Sequence, residues 1–157
     1  MKLLIVVPTL NSYLLLRNLI NSLRVQTFKS WRVLFIEGNS NKKHRDWIEN
    51  LCTQNSNYSI KYQTKENPGI FGAMNQGFGE AHKDEWILFW GSDDWVFDNE
   101  SFDKLFLKIK TLSERNCNCD LAICRAVYYD IKLNKKGRVS SFLDNKESSV
   151  INGIKFR

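Results

Sequence analysis

Trp86-Ile87-Leu88-Phe89-Trp90-Gly91-Ser92-Asp93-Asp94 runs an unbroken apolar stretch into a glycine and an acidic pair. Such a run, stopped by a turn signal, predicts a strand buried on both faces, as in a parallel sheet. Beyond it Phe102, Leu105, Phe106, Ile109 and Leu112 recur at helical spacing and predict a long amphipathic helix. The acidic pair therefore closes a strand and leads toward a helix.

The same unit recurs toward the N-terminus. Leu3-Leu4-Ile5-Val6-Val7, stopped by Pro8, predicts a first buried strand. From Tyr13 to Val25, Leu15, Leu16, Leu19, Ile20 and Leu23 follow at helical spacing, with Asn11 or Ser12 able to cap the start. Val33-Leu34-Phe35-Ile36 predicts a second strand, and Trp47, Ile48, Leu51 and Cys52 share one face of the next helix. Ile60 and Tyr62 alternate with polar residues as in a short outer strand. Pro68 and Gly69 then break the chain before a helix near Ala73 to Ala81, a helix weakened by Gly77 and Gly79. Leu121-Ala122-Ile123-Cys124 and Val127-Tyr128-Tyr129 are strand material, and Asn134-Lys135-Lys136-Gly137 is a turn signal. Strands alternating with helices give an α/β class: an open, mostly parallel sheet with helices on both faces.

Composition bounds the function. The 157 residues suit one compact domain, and 43% hydrophobic with 25% charged residues is a globular balance. The net charge of +6 suits nucleotide phosphates or an anionic membrane surface. The basic residues are scattered, with Lys42, Lys43 and Arg45 the densest run on a solvated face, so no nucleic-acid reader is expected. No apolar run reaches spanning length, and Met1 to Val7 lacks the zones of a signal peptide, so a cytoplasmic location is expected. Cys52, Cys117, Cys119 and Cys124 lie at no metal-ligand spacing with His44 or His82 and read as buried, reduced thiols.

Ligands of an open parallel sheet bind beyond the carboxyl ends of its strands. Pro8-Thr9-Leu10-Asn11, Glu37-Gly38-Asn39-Ser40 and Gly91-Ser92-Asp93-Asp94 each follow an apolar strand, so one fold rule sets them on one rim. Adjacent carboxylates repel, and in an extended segment they point to opposite sides. Two different partners resolve that conflict: a divalent cation such as Mg or Mn for one, ribose hydroxyls for the other. The competing reading makes Asp93 and Asp94, like Thr9 and Asn11, plain helix caps, and Glu37 a solvated loop acid.

These residues carry a resemblance. Through Val6-Val7-Pro8-Thr9-Leu10-Asn11, Glu37-Gly38-Asn39-Ser40 and Ser92-Asp93-Asp94, the chain resembles family 2 glycosyltransferases of the GT-A fold from Lys2 to about Tyr129. Asn67-Pro68-Gly69-Ile70-Phe71-Gly72-Ala73-Met74-Asn75-Gln76-Gly77 is similar to the Gly-Ile-Tyr-Asp-Ala-Met-Asn-Lys-Gly segment of a polysaccharide-building subgroup. The resemblance implies transfer of a sugar from a nucleotide diphosphate sugar to the hydroxyl of a glycan or lipid-linked acceptor, with inversion. It implies that Asp94 holds a divalent metal, Mn or Mg, and that Asp93 binds ribose. It implies further that Pro8, Thr9, Asn11 and Glu37 line the nucleoside pocket, with Asn75 on the sugar side.

Glu37 departs from the usual Asp, Gly38 stands where many relatives have a second acid, and Gly72 replaces the subgroup's Asp. Relatives place the general base beyond the Asp-Asp motif, and Asp130, Asp144 and Glu147 are poor substitutes for it. The resemblance thus implies a nucleotide-sugar-binding part over 1–130 and a partial C-terminal segment over 131–157 that lacks the acceptor half. The alternative function is a truncated, non-catalytic nucleotide-sugar-binding module. A sugar-phosphate nucleotidyltransferase would need a Gly-rich phosphate loop after the first strand, which Pro8-Thr9-Leu10-Asn11 is not. Peripheral contact with the inner face of the membrane is the remaining partner suggested by the subgroup.

Overall fold

A computed structural model describes residues 1–115, 119–124, 126–130 and 134–139. The chain divides into two compact units, Met1–Thr111 and Leu112–Arg157.

The first unit alternates strand and helix: β1 (Lys2–Thr9), α1 (Tyr13–Arg24), β2 (Trp31–Glu37), α2 (Lys42–Gln54), β3 (Tyr58–Tyr62), α3 (Gly69–Phe78) and β4 (Glu85–Phe89). Helix α4 (Ser101–Glu114) follows, and in the second unit β5 (Val127–Asp130) pairs antiparallel with β6 (Lys135–Val139). The first four strands form one parallel sheet in the order β3-β2-β1-β4. The apolar runs of β1 and β2 sit at its centre, with Leu4, Ile5, Val6, Val7, Phe35 and Ile36 fully buried. Ala73 of α3 packs with Leu4, Val6, Leu34 and Ile36 on one face. Helices α1 and α2 bury Leu16, Leu19, Leu23, Ile48 and Leu51. The α/β sheet expected from the sequence is the one observed.

Several details differ. Strand β4 is not buried on both faces: Glu85 to Leu88 are half-buried and Phe89 is 40% exposed, because β4 is the outer strand of this sheet. Its Glu85 is instead anchored by Arg32, whose Nε and Nη2 each donate to the carboxylate at 2.7 Å. Strand β1 continues through Pro8 to Thr9, which is tolerated because β4 pairs with β1 only as far as Val6. Helix α3 begins at Gly69, earlier than expected, and ends at Phe78. Its Gly77 is there for close packing: a β carbon at that position would lie 2.2 Å from Val6 Cγ1.

Leu121 to Cys124 form no strand, and the turn signal at residues 134–137 is mostly strand, with Asn134 alone taking positive φ (49°) before β6. Cys52 and Cys119 are half-buried free thiols and Cys124 is an exposed one, which corrects the expectation of buried cysteines. Burial nevertheless pushes the Cys52 thiol up to about 11. Cys117, Asp144 and Glu147 lie outside the described residues.

Candidate functional site

Register brings the strand ends level. Thr9 pairs with Glu37 and Glu37 with Tyr62, while the Trp90 N–H just past β4 donates to Val6 O at 3.0 Å. Sequence order runs outward from β1 to β3 and then returns to β4 on the other side of β1. The carboxyl end of the β1/β4 seam is therefore the topological switch point, the place where open sheets of this kind take their ligands. The loops holding Thr9, Glu37 and Asp93-Asp94 all leave this edge, as the sequence predicts.

The β1 and β2 loops are tied into one lattice. Glu37 is 1% exposed, and its carboxylate accepts the backbone N–H groups of Asn39 (2.9 Å) and Ser40 (2.7 Å). Gly38 N–H donates to Thr9 O at 2.9 Å, and the buried Thr9 hydroxyl points to Ile36 O at 3.5 Å. Asn11 N–H donates to Ser40 Oγ (2.8 Å) while Asn11 Oδ1 accepts Asn41 N–H (2.9 Å). Asn11 and Asn39 both have positive φ (54° and 66°), a region asparagine tolerates better than most residues. Asn41 caps α2 by accepting His44 N–H at 3.0 Å.

Neither Asn11 nor Ser12 caps α1 with its side chain. The N-terminal amide of that helix, Tyr13 N–H, donates to His44 Nδ1 at 3.0 Å. His44 is fully buried, and burial lowers its pKa against the opposing pull of Glu37. Since Nδ1 accepts, the imidazole is neutral with its proton on Nε2.

The acidic loop is built differently. Asp94 N–H donates to Gly91 O at 3.3 Å, closing a turn, and both carboxylates are exposed. A β carbon at Gly91 would lie 2.7 Å from Asp94 Oδ2 and 2.9 Å from Asp93 Oδ1, so both side chains lean toward one point. Strand alternation, which would send them to opposite sides, does not hold in a turn. Partial burial, with the Asp93 charge adding to it, raises the Asp94 pKa from its ordinary value. The pair does not cap α4: the first-turn amide Phe102 N–H is taken by Gln26, and Asp98 Oδ1 closes the turn before the helix, accepting Glu100 N–H and the Ser101 hydroxyl at 2.9 Å each. Buried Gln26 holds the outgoing segment, donating to Asp98 O (2.6 Å) and accepting Phe102 N–H (3.3 Å).

Two exposed carboxylates leaning together are the donor set a hard divalent ion takes when water and phosphate oxygens complete its shell, so these residues fit Mg or Mn. Among the described residues no cluster of three or more His, Cys, Asp or Glu could hold a metal, so the acidic pair would need further oxygens, such as those of water and phosphate, to complete a shell.

A fourth loop, from β3 to α3, reaches the same edge. Gln63 N–H donates to Glu37 O at 2.8 Å, and Gln63 Oε1 approaches Gly38. Pro8 is half-buried at the end of β1, and Asn75 is exposed on α3. Gly72 has a steric reason: a β carbon there would lie 2.0 Å from Asn67 O, so the turn into α3 closes over the space a side chain would need. Sequence reasoning placed Ser40 on the rim but missed Gln63, Asn41 and His44. Gln63 alone carried a usable signal, as the first residue past an alternating strand.

Comparisons with known proteins agree with this geometry. The family model described as Glycosyl transferase family 2 matches residues 4–154. A PGL/p-HBAD biosynthesis glycosyltransferase of Mycobacterium bovis is 27% identical over 101 residues, 64% of this chain and 39% of that protein. A GalNAc(5)-diNAcBac-PP-undecaprenol beta-1,3-glucosyltransferase of Campylobacter jejuni is 33% identical over 95 residues, 59% of this chain and 30% of the relative. The chain thus spans well under half the length of these relatives. In fold it is similar to S. aureus TarS 1-349 in complex with UDP-GlcNAc, with a TM-score of 0.62 at 23% identity over 72% of this chain and 32% of that one. The parallel sheet is accordingly of the GT-A type, and the chain belongs to the family 2 glycosyltransferases.

Proposed function

We propose that this chain forms the donor site of a glycosyltransferase that moves a sugar from a nucleotide diphosphate sugar to a glycan or lipid-linked acceptor hydroxyl, with inversion, in glycan synthesis. The observation that carries the reading is the pairing, across the β1/β4 switch point, of a hydrogen-bonded pocket wall with two converging carboxylates. Pro8, Thr9, Asn11 and Glu37 form the nucleoside wall. Thr9 and Glu37 act by fixing loop shape, since both are buried, while the side-chain Nδ2 of Asn11 is placed to donate to the ligand. Asp93 accepts ribose hydroxyls, Asp94 holds a divalent Mn or Mg ion, and Asn75 lies on the sugar side.

An ion bound there supplies Lewis-acid neutralisation of the charge developing on the departing diphosphate. The chain's own contribution is to hold the donor so that its anomeric carbon stays open to in-line attack by the acceptor oxygen. Residues 1–130 form the donor part of the site. Among the described residues no helix is long and apolar enough to cross a membrane. We place the protein in the cytoplasm, at the inner membrane face, where a lipid-linked acceptor and the chain's net charge of +6 would meet.

The test is calorimetric titration of the chain with UDP and GDP, each with Mn ions and with EDTA, repeated on Asp94→Ala. Binding that needs the metal and drops at least about 100-fold in the variant supports the reading. Unchanged binding in Asp94→Ala rejects the metal assignment, and no binding by the intact chain rejects the donor site.

A further inference from the structure

Gln63 sits immediately after β3 with its side-chain amide fixed in one orientation. Its Nε2 donates to Asn67 O at 2.7 Å and to Gly69 O at 2.6 Å. A carboxamide nitrogen has two protons, so both are taken. The flipped orientation would set Oε1 against two carbonyl oxygens. The amide is therefore locked, with Oε1 left as an acceptor.

That oxygen faces a particular place. The point a β carbon of Gly38 would occupy lies 3.5 Å from Gln63 Oε1, 3.7 Å from Leu10 Cδ1 and 3.2 Å from Thr9 O. Because residue 38 is glycine, the spot is bare backbone between a fixed acceptor and a leucine that is 61% exposed. A flat ring can lie on bare backbone where a side chain would block it. Leu10 offers it an apolar flank, and Gln63 Oε1 meets its edge.

We propose that Gln63 reads the nucleobase: its Oε1 accepts a hydrogen bond from a ring N–H. The pocket then selects bases of the uracil and guanine class over cytosine and adenine, whose equivalent ring nitrogens present a lone pair to a lone pair. A site built around a fixed hydrogen-bonding group discriminates strongly, because the wrong partner leaves that group unpaired. The inference rests on the nucleotide-binding reading above and adds the chemical class of the base.

The experiment is equilibrium binding, with Mn ions, of UDP, GDP, CDP, ADP and N3-methyl-UDP to the intact chain and to Gln63→Leu. UDP and GDP are expected to bind about tenfold more tightly than CDP and ADP, with N3-methylation of UDP costing a similar factor. In Gln63→Leu the ratio between UDP and N3-methyl-UDP falls to near one. If the variant weakens every nucleotide equally and keeps that ratio, Gln63 only supports its loop and the inference is overturned. Equal binding of UDP and N3-methyl-UDP by the intact chain overturns it without any variant, while leaving the donor site standing. Failure of all five nucleotides to bind the intact chain overturns the donor-site reading and this inference with it.

Discussion

The two sides of the β1/β4 seam are built on opposite plans. On the β1–β2 side both oxygens of the Glu37 carboxylate accept backbone amides, two asparagines hold positive φ, and a buried histidine ties two helices together. On the β4 side two like charges are exposed, and the glycine beneath them leaves room for both to lean inward. The first wall is finished before a ligand arrives, so binding to it costs little ordering. The second is an arrangement of unbalanced charge that a cation would relieve. Shape therefore comes from one side and charge from the other.

That division is broken most forcefully at Glu37. Glu37→Ala leaves two backbone amides without their acceptor, the buried Ser40 N–H and the part-buried Asn39 N–H, and is expected to cost about 3 kcal/mol in urea unfolding. Nucleotide affinity should fall with and without metal, since the wall and not the ion site is lost. A variant as stable as the parent would mean the lattice is incidental. Gly91→Ala is the matching change on the other side. Its β carbon would sit where Asp93 Oδ1 and Asp94 Oδ2 converge, pushing two exposed side chains apart. Stability should hardly move, while Mn-dependent UDP binding should weaken about tenfold. Equal loss of metal-free binding would show that the turn also shapes the nucleoside wall.

The sequence made these two sides legible to different degrees. Apolar runs such as Leu3 to Val7 and Val33 to Ile36 have one stable fate, a central strand, and they fix the sheet and the rim on which Thr9, Glu37 and Asp94 stand. The lattice was illegible, because it depends on contacts between residues about 30 positions apart, such as Asn11 with Ser40 and Tyr13 with His44. The burial of β4 was misread because its composition matches a central strand, while its place at the outer position of the sheet is a property of topology. The direction of Asp93 and Asp94 was misread because alternation was carried past the strand into a turn.

His44 gives the rigid wall a pH signature. Burial lowers its folded pKa below the unfolded value, so the unfolded chain takes up the proton first as pH falls. Its contribution to stability is whole above about pH 6.5 and is lost as pH drops through the folded pKa. Protonation also removes the acceptor for Tyr13 N–H, a hydrogen bond contributing about 1 kcal/mol. A His44→Phe variant is expected to show a flatter stability profile between pH 7 and 5 than the parent. Parallel profiles would place the titrating group elsewhere.

The smallest effect separates the two walls most cleanly, because it has the opposite sign. Asp94 has a raised pKa in the folded chain, so the unfolded chain gives up that proton at lower pH. Stability therefore declines as pH rises from the unfolded toward the folded pKa, and above it the charged carboxylate carries a constant penalty. Removing the charge with Asp94→Asn should raise the melting temperature slightly at neutral pH without metal, whereas the acid on the other wall, Glu37, is needed for stability. Adding Mn and UDP should reverse the order, since only the parent gains the stabilisation that follows from binding the folded state. If Asp94→Asn melts lower than the parent in EDTA, the carboxylate supports the turn itself, and the β4 side is braced like its neighbour.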